Sequence, residues 1–190
     1  LIKTGTGIGQ ERTRIAVSSF FASPENAELR QVFDDTLWND LDNAGIFDLA
    51  SKSMYPLSLP SRPTDMKLEE WRDPPLAAQM VVLGNLSRSG DQAQVEGWLV
   101  DPRNPTQPIV LGKRYNDRAE NRAVRQMAHK LANEIVFYLG GGVPGIAESR
   151  IAYVRMMAPK QAGKTAVKEI WMMDYDGVNQ EQITHLNTLS

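Results

Sequence analysis

The sequence predicts an α/β fold: a mixed, mostly antiparallel sheet of about five strands with two long helices, followed by a partial β-propeller blade. Three observations carry this expectation. Two segments, 23–44 and 117–139, repeat large apolar residues at a period near 3.6. Short apolar runs bounded by glycine, proline and asparagine surround them. From Ile151 onward the period drops to about 2 and stays strand-like. The change falls in Leu139 to Val154, LGGGVPGIAESRIAYV, where Gly140, Gly141 and Gly142 offer the backbone conformations that close a helix. Pro144 forbids continuation, having no amide hydrogen. With Gly145 these residues form an expected interdomain turn. The expected division is a flexible arm (1–13), an α/β domain (14–146) and a blade fragment (147–190).

In chain order, LIKTGTGIGQERT opens with glycines at positions 5, 7 and 9, expected to be either a linker left by processing or a flexible arm that a partner or its own domain orders. It is no phosphate-cradling loop, because it neither follows a strand nor opens a helix. RIAVSSFF, 14–21, reads as the first strand. Ser23 is the expected N-cap of the first helix, with Pro24 at its first position and Glu25 in its first turn. Leu29, Val32, Phe33, Leu37 and Leu41 make the buried stripe, and Gly45 the stop. Asp34, Asp35, Asp40 and Asp42 are expected mostly off that stripe, on a solvated face. Residues 46–49 form a short strand. Pro56, Pro60 and Pro63 make 51–66 a surface connection. Residues 67–72 suit a helical turn or two, with Trp71 anchored in the core. Residues 79–86, 93–100 and 109–115 then form an antiparallel meander, its first hairpin turning at Ser89-Gly90-Asp91. Asp117 and Glu120 resemble a capping box for the second helix, whose stripe is Val124, Met127, Ala128, Leu131, Ile135 and Leu139. Beyond the glycine turn, 151–157, 167–174 and 182–186 are three antiparallel strands, most of one propeller blade.

Composition narrows the function. With 42% apolar and 23% charged residues the chain can bury a core, and its net charge of -2 gives no whole-molecule attraction to nucleic acid or anionic lipid. No apolar run reaches the length of a membrane span. Without cysteine there are no disulfides and no thiolate metal sites. Because the chain starts at Leu1, removal of a signal peptide or of other residues is expected.

Candidate chemistry is sparse. Gly140-x-Gly142-x-x-Gly145 matches a dinucleotide fingerprint in letters, but runs from helix to strand and contains Pro144. His129 and His185 have no partners at metal-ligand or catalytic spacing. No nucleophile elbow supports a hydrolase. No catalytic residue, metal or cofactor is therefore expected. The strongest charge feature is Arg114, Arg118, Arg122 and Arg125, the last three at helical spacing; such a stripe tracks phosphates in a nucleic-acid-binding module. Asp117, Glu120 and Glu134 interleave with it, which favours local ion pairs instead.

The segments RIAYV (150–154) and DYDGVNQEQIT (174–184), behind a long helix and a glycine-rich turn, resemble the TolB family of the periplasmic Tol-Pal system. That resemblance implies a non-enzymatic periplasmic component linking TolA to the lipoprotein Pal in envelope integrity and cell division. In the family the mobile N-terminal segment engages TolA. Its counterparts here are Leu1, Ile2, Thr4, Gly5, Gly7 and Ile8, whose few apolar side chains between accessible backbone suit strand addition. The family's propeller docks Pal, and one partial blade is expected here, so Pal is the weaker implication. An exposed blade fragment is also expected to self-associate or recruit another chain.

Overall fold

The computed structural model describes residues 12–157 and 166–185. By backbone contacts the chain divides into two compact units, Leu1–Pro144 and Gly145–Ser190.

The first unit contains a five-stranded mixed sheet in the order β2-β1-β3-β4-β5. Its strands are β1 (Thr13–Val17), β2 (Phe47–Leu49), β3 (Met80–Ser89), β4 (Gln92–Val100) and β5 (Ile109–Arg118). The helices are α1 (Ala27–Asn43), the short α2 (Leu68–Arg72) and α3 (Asn121–Leu139). β1 lies parallel to both β2 and β3, while β3-β4 and β4-β5 are long antiparallel ladders. The meander is as the sequence predicts. Gly90, at φ 62°, begins the two-residue turn between Ser89 and Gln92, a geometry that favours glycine.

α1 and α3 cover one face. There Leu29, Phe33, Leu37 and Leu41 meet Val124, Met127, Leu131 and Ile135, all buried. Leu139 and Val32 are only half-buried. Gly84 and Gly97 stand opposite each other on β3 and β4. A methyl group on Gly84 would overlap Phe20, and one on Gly97 would fall 2.6 Å from a Leu131 methyl. The two glycines therefore let Phe20 and α3 sit directly on the backbone of the sheet. The other face is closed by the connection 50–78. Trp71 of α2, fully buried as expected, packs there with Met66, Leu76, Val81, Leu83 and Val100. Tyr55 joins it at a ring distance of 5.4 Å. The Tyr55 hydroxyl donates to the Ala50 carbonyl (3.0 Å) and accepts from Val17 N–H (2.9 Å). Burial pushes its pKa up to about 12.

Several local expectations are corrected. The first strand ends at Val17 rather than Phe21; beyond it only Phe21 bridges to Asn85. Ser23 makes no side-chain cap bond to a helix amide, because a 3-10 turn, Pro24–Asn26, intervenes before α1. Asp117 does not cap α3. β5 runs on to Arg118, pairing Asp117 with Ala93, and Glu120 stands at the cap position in extended conformation. Pairing to β4 outweighs the capping signal, since each further rung satisfies backbone groups that a cap satisfies only at one end.

The second unit holds a three-stranded antiparallel sheet, β6 (Arg150–Met157), β7 (Val167–Asp174) and β8 (Glu181–Gln182). β8 is shorter than the expected 182–186, and Leu186 lies outside the described residues. The β7-β8 turn is built around Asp174. Its carbonyl accepts from Gly177 N–H (2.9 Å) and its carboxylate from Asn179 Nδ2 (2.6 Å), with Gly177 at φ 84°. Arg155 stacks 4.8 Å from the Trp171 ring, while Val154 and Met156 are about two-thirds exposed.

Candidate functional site

The expected arm residues Leu1, Ile2, Thr4, Gly5, Gly7 and Ile8 lie outside the described residues. Their point of attachment is described. Arg14 N–H donates to Gln79 Oε1 (3.0 Å), its Nε to the Leu76 carbonyl (2.8 Å) and its Nη1 to Asp48 (2.7 Å). Arg14 so ties β1 to β2 and to the lead-in of β3.

The glycine turn is a helix end. Gly140 N–H donates to the Val136 carbonyl (2.7 Å) and Gly142 N–H to the Phe137 carbonyl (2.8 Å), with Gly141 and Gly142 at φ 71° and 84°. The Gly142 bond, with Gly141 left-handed, is the six-to-one closure of a Schellman motif, while Gly140 completes the last ordinary helix turn. A phosphate cradle needs such amides at the positive N-terminal end of a helix. Here they sit at the negative end and are already spent. Pro144 closes the first unit and Gly145 opens the second.

The arginine stripe does not assemble. Arg118 ends β5, opposite Gln92, so it shares no helix face with Arg122 and Arg125. Arg114 Nε donates to Glu96 (2.7 Å), whose other oxygen accepts from Asn85 (3.3 Å). The Arg114 bond first, and then Asn85, hold the Glu96 carboxyl below its usual range. Arg125 donates to Thr36 Oγ1 across the helix pair (3.1 Å), and Lys113 pairs with Glu134 (3.0 Å). Glu96 and Glu134 thus engage Arg114 and Lys113, and Thr36 engages Arg125.

The acidic residues of α1 do not all face solvent. Asp40 is buried and lies 2.7 Å from His129 Nδ1, also buried, so that the pair spans α1 and α3. Sequence spacing placed His129 beside the apolar stripe but gave no way to find a partner 89 residues away. Asp34 is half-buried and accepts from Phe20 N–H (3.1 Å). Its burial raises the carboxyl from 3.8 to about 6, a shift that this hydrogen bond and the charges of Arg30 and Lys52 only partly oppose. Among the described residues no group of three or more His, Asp or Glu side chains is placed to hold a metal. None of their helices is long and apolar enough to cross a membrane.

Sequence reasoning missed one surface feature of the first unit, a cleft of about 330 Å³. Phe21, Asn26, Ser61 and Arg62 line it together with Leu86 and Arg88 of β3. It exists because β1 stops at Val17 while β3 continues to Ser89.

Comparison with known proteins gives a consistent set of relatives. The family model described as the TolB amino-terminal domain matches residues 6–107. The Tol-Pal system protein TolB of Cereibacter sphaeroides is 29% identical over 175 residues, covering 92% of this chain and 37% of that protein. Its namesake in Desulfosudis oleivorans is 27% identical over 160 residues, covering 82% and 33%. The crystal structure of TolB from Acinetobacter baumannii aligns with a TM-score of 0.68 at 22% identity, over 93% of this chain and 39% of that one. At that identity the likeness is one of fold. The chain spans less than two-fifths of the length of each of these three relatives.

Proposed function

Because the chain belongs to the TolB amino-terminal domain family, whose model its residues 6–107 match, we propose that it is a non-enzymatic interaction component of the periplasmic Tol-Pal system. The family match carries the reading. In it, the first unit presents the N-terminal arm to TolA, and Leu1, Ile2, Thr4, Gly5, Gly7 and Ile8 form the recognition segment. Physical support comes from the Arg14 anchor. A segment that pays its ordering entropy on binding, about 1–2 kcal/mol per residue, gains most when one end is already fixed. Contact with Pal belongs to the propeller side of the family, to which this chain contributes the three-stranded β6-β7-β8 sheet.

The test is calorimetric titration of the TolA C-terminal domain into the intact chain and into a version beginning at Arg12, which keeps the Thr13–Phe47 pairing. The expected result is binding by the first and at least tenfold weaker binding by the second, at unchanged circular dichroism. Equal affinities would remove the arm from the mechanism. Absence of binding by either would remove TolA.

A further inference from the structure

The cleft beside β3 has the features of a second recognition site. Backbone pairing along β3 alternates. Val82 and Gly84 accept from Ser18 and Phe21 N–H on the β1 side, and Leu86 N–H donates back to the Phe21 carbonyl. Even-numbered β3 residues thus turn their amides away from β4. After Phe21 the covering chain leaves for the Pro24–Asn26 turn. Among the described residues no strand lies beside the next rung, the Leu86 carbonyl with the N–H and carbonyl of Arg88. An exposed rung of this kind is a template for an added strand.

The side chains around the rung supply an independent observation. Asn26 is 4% exposed and lines the cleft. Its Nδ2 donates to Ser23 Oγ (2.9 Å), whereas its Oδ1 is buried without a hydrogen-bond partner. A buried carbonyl oxygen left in this way is costly, and turning the Asn26 side chain toward a donor in the cleft would relieve the cost. The charge is also asymmetric. Glu25 accepts from the Ser23 hydroxyl (2.7 Å) and keeps its negative charge, Arg88 Nε donates to the Gly90 carbonyl (2.7 Å) and keeps its positive one, and the two offset, leaving Arg62 as the surplus. Arg62 makes no ion pair among the described residues. The nearby Glu96 carboxylate is already held by Arg114 and Asn85. Phe21, 60% exposed, gives the cleft an apolar wall.

The geometry points to a binding site for an extended polypeptide segment of a partner protein that carries an acidic side chain. The segment continues the place of β1 along β3 and pairs with Leu86 and Arg88. It sets its carboxylate against Arg62 and, on a rotation of the Asn26 side chain toward the cleft, donates a backbone N–H to Asn26 Oδ1. A volume of about 330 Å³ lies at the low end of the ~300–1,000 Å³ of ligand sites and suits a short length of extended chain. This site uses none of the residues of the N-terminal arm, so its failure leaves the TolA reading untouched.

The probes are two nine-residue peptides of alternating valine and threonine, one with a central aspartate and the other with a central lysine. They are titrated into the isotopically labelled chain, with amide shifts followed by NMR and affinity by fluorescence polarisation. The aspartate peptide is expected to bind with a Kd of about 10–500 µM, moving the amides of Leu86 and Arg88, with the lysine peptide at least fivefold weaker. Arg62→Glu, a surface change, is expected to reverse that preference, and Asn26→Ala to weaken both peptides severalfold. A melting temperature within a few degrees of the parent's shows that each variant is folded. Four results overturn the proposal: no saturable shift at Arg88 up to millimolar peptide, equal affinity for the two peptides, an unchanged preference in Arg62→Glu, or equal shifts from succinate alone. The last would make the occupant a small anion, and the first would leave Asn26 Oδ1 buried as it stands.

Discussion

Asp34→Asn isolates one electrostatic feature of the fold. The carboxyl caps the turn after β1 by accepting from Phe20 N–H (3.1 Å), and an asparagine Oδ1 accepts the same bond. Burial raises its pKa from 3.8 to about 6. A carboxyl raised on folding stabilises through its protonated form. That contribution is full below pH 3.8 and is lost as the pH rises through about 6, because the native state binds the proton more tightly than the unfolded chain. A shift of about 2 units corresponds to about 3 kcal/mol. Since Asp34 is half-buried, solvent screening reduces the expected effect to about 2 kcal/mol. The substitution is therefore expected to leave stability unchanged near pH 4 and to raise it by about 2 kcal/mol at pH 7.5. In melting temperature this is a gain of about 4–8 °C at the higher pH only. Urea unfolding of parent and variant from pH 4 to pH 8 measures it. Glu96 and Asp101, held low by Arg114 and Arg103, lose their stabilisation as the pH falls, but they do so equally in both proteins and cancel in the difference. A variant equally stabilised at both pH values, or destabilised at pH 7.5, would refute the burial argument.

Two further substitutions test the packing. Gly84→Ala is expected to cost about 3 kcal/mol or more, since its methyl would meet both Phe20 and the Glu96 carbonyl, and the second is backbone. Gly112→Ala, whose methyl comes 3.1 Å from the Trp98 ring at the more open edge, should cost about 1 kcal/mol or less by the same urea assay. His129→Leu is expected to cost about 3–5 kcal/mol because it takes the imidazole from a buried Asp40 carboxylate. Adding Asp40→Leu should recover more than half of the loss, and a double-mutant cycle that is simply additive would argue against coupling.

Much of this protein was legible in its sequence, for reasons that are local. The stripes of α1 and α3, the Ser89–Asp91 turn, the stop at the glycines after Leu139 and the buried Trp71 all follow from periodicity, backbone preference and side-chain size within one segment. The family resemblance, likewise carried by short stretches such as RIAYV, agrees with the match over residues 6–107. What the sequence could not supply depends on which segments become neighbours. The insertion of β1 between β2 and β3 joins residues more than 60 positions apart, and no local pattern encodes that choice. Nothing in the local pattern of its strand explains Gly97. Only with Gly84 opposite and Leu131 above does it become the place where α3 touches the sheet. Asp40 read as one of several surface acids until α3 brought His129 to it. Arg118 read as helical until β4 claimed it as a strand residue. Helical and strand periodicity are written along the chain, whereas burial, charge pairing and the open rung beside Asn26 arise between segments, and only the folded arrangement decides them.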